Sequence, residues 1–225
     1  MILKFEGERK RIAGKNKEIQ EFFDRRAESY QKEINPYLTH IRAEFIRNFA
    51  QGEILDVGVG PGLLPKQYAS EAKITGVDIA LPMLELAKKA LPNSHLCQAD
   101  SENLPFAGAS FDTIVCSEVI YYLERPEKFI REAARVLRRP GCLLIILGNS
   151  RYNFLYKKLG QLGLRPLDPY GLKTLSRKKV RSILENNLSS FEVEIYGLGF
   201  PLFKISRLSV LSRLSPVLAF HVKLG

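Results

Sequence analysis

Residues 53–62 read EILDVGVGPG: strand-forming Ile54, Leu55 and Val57 surround Asp56, and Gly58, Gly60 and Gly62 follow at alternate positions. No other stretch of the chain is as dense in glycine. A loop at the carboxyl end of a parallel strand has to turn sharply, admit a ligand to its backbone and hand over to a helix. Glycine permits all three, because it has no Cβ and tolerates positive φ. In open α/β sheets this edge is where ligands bind, and a helix starting near Leu63 points its amide-rich end at the site.

The spacing decides which ligand. A dinucleotide fingerprint, G-x-G-x-x-G, counted from Gly58 needs a third glycine at position 63, which is Leu63. Counted from Gly60 it meets Gly62 and then Pro65, and no Gly-Lys-Ser/Thr run of a phosphate loop is present. Asp56, on the strand ahead of the glycines, repels a pyrophosphate and suits a cationic group instead, met directly or through water.

Outward from this loop the chain alternates short apolar runs with helical patterns. KITGVDI (73–79), SHLCQAD (94–100), FDTIVCSEV (111–119) and GCLLIILGN (141–149) read as strands. LLPKQYAS, PMLELAKKAL (82–91) and PEKFIREAARVL (126–137) read as helices, the last two opened by Pro82 and Pro126, which suit the first helical turn. This alternation predicts a Rossmann-like α/β fold, a seven-stranded and mostly parallel sheet sandwiched by helices. KNKEIQEFFDRRAESYQKE (15–33) and YLTHIRAEFIRNFA (37–50) carry apolar residues at helical spacing and predict an amino-terminal helical cap. LSRKKVRSILENN (175–187) predicts a helix capped by Ser176, and FEVEIYGLG (191–199) and VLAFHVKL (217–224) predict two last strands. The expected organisation is one structural domain: a cap over 1–50, a ligand-binding core over 51–150 and a completion of the sheet over 151–225.

Asp78 ends the second strand, 22 residues after Asp56, and Asp100 ends the third. A carboxylate at the carboxyl end of the neighbouring strand can take both hydroxyls of a ribose. Three consecutive strands thus each place an acid at or near one edge.

Charge is divided unevenly. Residues 1–150 carry 21 Lys and Arg against 20 Asp and Glu, whereas residues 151–225 carry 13 against 4. The basic surface therefore belongs to the last third, either as a solvated face or for an anionic substrate, membrane surface or nucleic acid. Cys97, Cys116 and Cys142 lie in apolar runs without CxxC pairing, as small buried hydrophobes of a reducing cytosol do. No metal site is expected. The charged amino terminus lacks the apolar core of a signal peptide, and no apolar run approaches the ~18 residues of a membrane span. A cytoplasmic location follows, with peripheral membrane contact through the basic third as its extension.

EILDVGVGPG, ITGVDIALPMLELAKKA, QADSENLPFAGASFDTIVCSEVIYYL and REAARVLRRPGCLLI, in that order, resemble class I methyltransferases dependent on S-adenosylmethionine (SAM), in the methyltransferase type 11 and ubiquinone/menaquinone methyltransferase-like group. The resemblance covers roughly residues 52–147. It implies SAM as methyl donor and S-adenosylhomocysteine (SAH) as product. By resemblance Asp56, Gly58 and Gly60 line the methionine moiety, with Gly62 completing the loop. Asp78 holds the ribose, Ile79 and Met83 lie near the adenosine, Asp100 and Ser101 sit at the adenine, and Cys116 and Ser117 end the fourth strand under the cofactor. FFDRRAESY (22–30) resembles an amino-terminal F-D-x-x-A-x-x-Y element, in which Tyr30 closes over the carboxylate end of the cofactor.

The acceptor is less legible, since transfer from a sulfonium needs mainly alignment and exclusion of water. In such proteins Glu118, Val119, Ile120, Tyr121 and Tyr122 would face it. CSEV matches neither the Asn/Asp-Pro-Pro run of adenine-amine methylases nor the Pro-Cys of cytosine enzymes, so Cys116 is not expected to act as a nucleophile. His95 and His221 read as structural. His40, Tyr121 and Tyr122 are the weak candidates for catalysis. NSRYNFLYKKLGQL and FKISRLSVLSRL combine apolar and basic residues, as a lid with a basic rim or as an interfacial amphipathic segment. The expected activity is direct in-line methyl transfer to a small-molecule or amphiphilic, lipid-like acceptor. An RNA methyltransferase and a non-catalytic SAM-binding relative are the alternatives, and the lack of a recognisable RNA-binding module argues against nucleic acid.

Overall fold

Among the described residues nine strands form one sheet: β1 (Ile2–Leu3), β2 (Ile54–Val57), β3 (Ile74–Asp78), β4 (His95–Gln98), β5 (Phe111–Ser117), β6 (Leu137–Gly148), β7 (Glu192–Phe200), β8 (Phe203–Arg207) and β9 (Val217–Leu224). They come from a computed structural model that describes residues 2–3, 15–69, 74–150, 152, 154, 175–200, 203–207 and 215–225. The strand order is β1-β4-β3-β2-β5-β6-β9-β7-β8. Pairing is parallel from β1 to β6, and β9 runs antiparallel to both β6 and β7. The predicted seven strands are all there, β4-β3-β2-β5-β6-β9-β7, and β1 and β8 extend the two edges.

The chain proceeds from β2 to β3 to β4 on one side and then crosses back to pair β5 with the other side of β2. The strand order reverses at that point, so the connections that leave β2 and β5 run to opposite sides and open a crevice at their carboxyl ends. EILDVGVGPG lies at this reversal.

The helices are α1 (Lys15–Glu33), α2 (Pro36–Phe49), α3 (Pro65–Tyr68), α4 (Leu81–Ala90), α5 (Pro126–Val136) and α6 (Arg177–Asn187). Their starts follow local chemistry. Asn35 Oδ1 accepts the Leu38 amide at 3.1 Å ahead of Pro36, and Ser176 Oγ accepts the Lys179 amide at 3.2 Å, as its capping position predicts. Alternation along β6 then feeds two cores. Leu143, Ile145 and Leu147 pack with Phe129 and Ile130 of α5 and Val180 and Leu184 of α6. Cys142, Leu144 and Ile146 pack on the opposite face with Ile41, Phe45 and Ile46 of α2. A strand buried on both faces reads as a continuous apolar run, and GCLLIILG is one.

One stretch departs from its sequence reading. Residues 203–215 show apolar residues at helical spacing, yet Phe203–Arg207 pairs antiparallel with β7, Leu198 opposite Ile205. The open ladder of β7 supplies hydrogen-bond partners that an isolated amphipathic turn lacks. Residues 208–214, with the rest of that stripe, and most of the expected lid lie outside the described residues. Among the described residues no helix is long and apolar enough to cross a membrane.

Candidate functional site

The carboxyl ends of β2, β3, β4 and β5 open onto a cleft covered by α1. From α1 it is lined by Asn16, Ile19, Phe23 and Tyr30. The strand ends contribute Gly58 and Gly60, then Asp78, Ile79 and Met83, then Ala99, Asp100 and Ser101, and finally Ser117, Glu118, Val119, Tyr122 and Leu123. Its empty space is about 730 Å³ with the open mouth included.

The glycine loop is braced on β3. The amides of Gly58 and Val59 both donate to the Val77 carbonyl, at 2.8 and 2.9 Å. The Gly60 amide donates to Asp78 Oδ2 and the Ala80 amide to Asp78 Oδ1, each at 2.9 Å. Two backbone donors therefore fix the Asp78 carboxylate at the rim of the cleft. Burial pushes its pKa up to about 6, against the pull of those amides. Gly60, at φ +53°, has nothing nearer than the Gly58 carbonyl at 4.0 Å where a Cβ would stand, so its backbone is open to the cleft.

Gly62 serves a different purpose. A Cβ there would stand 3.1 Å from Ala87 Cα and from Leu91 Cδ1, so it lets the loop lie against α4 and does not line the cleft.

Asp56 also departs from its sequence reading. It is 2% exposed and absent from the cleft lining, and its Oδ2 accepts the Tyr68 hydroxyl at 2.5 Å. The carboxylate lies beneath the loop rather than facing a ligand. Burial pushes its pKa up to about 7, with the Tyr68 hydrogen bond acting the other way. An acid whose folded pKa is raised keeps a proton that the unfolded chain has released, so its contribution to stability falls as pH rises from about 4 to 7. His221, whose imidazole burial pushes down, has the opposite slope. The difference between variant and wild type isolates Asp56. Asp56→Asn should gain melting temperature relative to wild type on going from pH 5 to pH 8, and a constant difference would show that Asp56 does not titrate in that window.

At the end of β4, Asp100 Oδ1 accepts the Glu102 amide at 2.9 Å and Oδ2 accepts Asn16 Nδ2 at 3.1 Å, which ties the start of α1 to the sheet. Ser101 lines the cleft beside it. At the end of β5, Ser117 Oγ is buried, lines the cleft and has no hydrogen-bond partner among the described residues. Cys116 is fully buried behind it, and burial drives its thiol pKa well up. Tyr30 lines the cleft with its ring edge-on to Phe23, centroids 6.0 Å apart, and burial raises its phenol pKa.

The catalytic candidates divide. Tyr122 lines the cleft, its ring 5.2 Å from that of Phe23. Tyr121 does not; it is buried and its hydroxyl donates to the Glu118 carboxylate. His40 is exposed on α2 and does not line the cleft. His95 is exposed at the start of β4, and His221 packs on Phe49 at 4.4 Å. Asn16 carries no sequence signal, because its role depends on where α1 lands. Glu118 was expected near the acceptor, but its pairing with Arg42 of α2 at 2.6 Å was not readable. Among the described residues no group of three or more His, Cys, Asp or Glu is arranged to hold a metal.

Residues 55–145 match the family model of the methyltransferase domain. An uncharacterised methyltransferase of Oceanobacillus iheyensis is 30% identical over 177 residues, 76% of this chain and 80% of that protein. A malonyl-[acyl-carrier protein] O-methyltransferase of Legionella pneumophila is 34% identical over 141 residues, 57% of this chain and 49% of that protein. The chain thus spans about half the length of that relative. A solved SAM-dependent methyltransferase from Thermotoga maritima, 20% identical, superimposes with a TM-score of 0.69 over 91% of this chain and 99% of its own.

Proposed function

This chain belongs to the methyltransferase domain family, and from that membership we propose that it moves the methyl of SAM by direct in-line transfer to a small-molecule or lipid-like acceptor in the cleft above β2–β5. The observation that carries this reading is the Asp78 carboxylate, held at 2.9 Å by the Gly60 and Ala80 amides on the rim of that cleft. Its remaining lone pairs suit the two hydroxyls of a ribose. Asp100 and Ser101 take the adenine end, and Ile79 and Met83 supply apolar contact between them. The open backbone of Gly58 and Gly60 and the unpartnered Ser117 hydroxyl receive the methionine end, over which Tyr30 closes. Asp56, Gly62 and Cys116 support this surface from below.

SAM supplies a methyl on a sulfonium, electrophilic without further activation. The chain's part is to align the acceptor with it and to keep water out, for which α1 with Phe23 and Tyr30 forms the cover.

Labelled methyl from SAM, incubated with the protein and separate lipid, water-soluble metabolite and RNA fractions, tests this. Label should enter the lipid or metabolite fraction. Label in RNA alone would favour an RNA acceptor met by the basic third, and SAH binding without any transfer would indicate a non-catalytic relative. We also take α6, which exposes Lys178, Lys179 and Arg181, as part of a surface that meets anionic membranes. Failure to be retained by anionic-lipid vesicles at low salt removes that element.

A further inference from the structure

Glu118 is held in a costly conformation at the mouth of the cleft. Its φ is +60°, a left-handed backbone that is unfavourable for any residue with a Cβ. Non-glycine residues fixed there persist only where surrounding structure over-determines them, and they concentrate at functional sites. Here the restraint is visible. The Glu118 amide donates to the Ile146 carbonyl at 2.8 Å, Oε1 meets the Arg42 guanidinium at 2.6 Å, and Oε2 accepts the Tyr121 hydroxyl.

Three carboxylates line the cleft, Asp78, Asp100 and Glu118, and no Lys, Arg or His lines it among the described residues. Under the reading above, Asp78 and Asp100 serve the donor. Glu118 is left over, next to the aromatic pair Phe23 and Tyr122 and to apolar Val119 and Leu123.

We propose that the acceptor atom is a nitrogen on an apolar body, neutral when it attacks and cationic once methylated, with Glu118 facing that charge. This rests on the reading of the cleft as a SAM site. In the transfer the nitrogen lone pair forms the N–C bond as the C–S bond breaks, and the bonding pair stays on sulfur. The positive charge passes from sulfur to nitrogen, and any proton on that nitrogen leaves to water afterwards. A cleft with an acidic wall and aromatic faces favours a cation at both ends of this path.

An oxygen or carbon acceptor fits less well. It must arrive as an anion, against three carboxylates, or lose a proton to a base within reach. Each carboxylate already accepts hydrogen bonds that favour its ionised form and weaken it as a base: Asp78 from two amides, Asp100 from Asn16 and the Glu102 amide, Glu118 from Arg42 and Tyr121.

The test begins with SAH titrated into wild type; absence of binding overturns the SAM reading and not this inference alone. In the SAH complex, benzyltrimethylammonium, a probe of the cationic product, should bind at least about tenfold tighter than benzyl alcohol. Glu118→Gln should retain SAH binding and lose that preference. Glu118→Gly removes the carboxylate while suiting the positive φ, so it answers the question if the Gln variant folds poorly. With methyl-¹³C SAM and a total metabolite and lipid extract, label should appear in N-methyl signals and fall at least about tenfold in both variants. With SAH bound, equal affinity for the two probes, a preference that survives both variants, or label confined to O-, S- or C-methyl groups or absent would each overturn the assignment.

Discussion

Asp78→Ala is expected to weaken SAH binding about 100-fold. The carboxylate offers charge-assisted hydrogen bonds to two ribose hydroxyls, each worth about 1.5 kcal/mol, and about 3 kcal/mol corresponds to about 100-fold in Kd. Its position depends on the Gly60 and Ala80 amides at 2.9 Å, which keep the same oxygens aimed at the cleft without a ligand. Asp78→Asn, which keeps the shape and loses the charge, should fall between wild type and Ala. The same side chain sets a pH dependence. With its pKa pushed up to about 6, the ligand-accepting ionised form is fully populated only above that value. Wild-type affinity should therefore decline as pH falls through about 6, while Asp78→Ala stays flat across that range. Calorimetric titrations at pH 5 and pH 8 read both effects. An Ala variant that binds as tightly as wild type would remove Asp78 from the site.

The second large effect is steric. At Gly58, φ is +73° and a Cβ would stand 2.2 Å from Val119 Cγ2. Gly58→Ala thus combines left-handed backbone strain of about 1–2 kcal/mol with overpacking of about 1–3 kcal/mol. A loss of about 2–5 kcal/mol is expected in urea unfolding, where typical domains have only about 5–15 kcal/mol in all. Val119 lines the cleft, so a side chain pushed aside there also obstructs the ligand. Adding Val119→Ala should recover the steric share and leave the strain, a coupling that a double-mutant cycle measures. If the two substitutions prove additive, the contact is not what limits position 58.

The parts of the fold that were legible in the sequence share a physical reason. Strands buried on both faces, such as Leu143–Leu147, read as unbroken apolar runs, and Pro82, Pro126 and Ser176 mark helix starts by local chemistry alone. The edges were not legible. β1 is two residues long and exists through the free edge of β4, and β8 through that of β7. β1 is too short to carry a pattern, and β8 lies in a stretch whose apolar spacing is helical.

The site shows the same division. Gly60, Asp78, Asp100 and Ser117 lie at strand ends, where topology alone brings them together. Asp56 is a case in which period-two alternation held more information than motif spacing. It shares a strand face with Ile54, whose core also holds Tyr68, while Leu55 and Val57 enter the opposite core. The carboxylate therefore turns toward α3 and away from the ligand edge. Asn16 and the Arg42–Glu118 pair join residues 84 and 76 positions apart. No local signal encodes such contacts, because they depend on how α1 and α2 settle over the finished sheet.

A calorimetric titration of SAH into the wild-type protein at pH 8, repeated with SAM and with ATP as a control adenine nucleotide, tests whether the cleft above β2–β5 is a SAM site. One site per chain is expected, with Kd in the micromolar range, about −8 kcal/mol, for both SAH and SAM, and no comparable heat with ATP. No saturable binding of SAH, or equal binding of ATP, would contradict it.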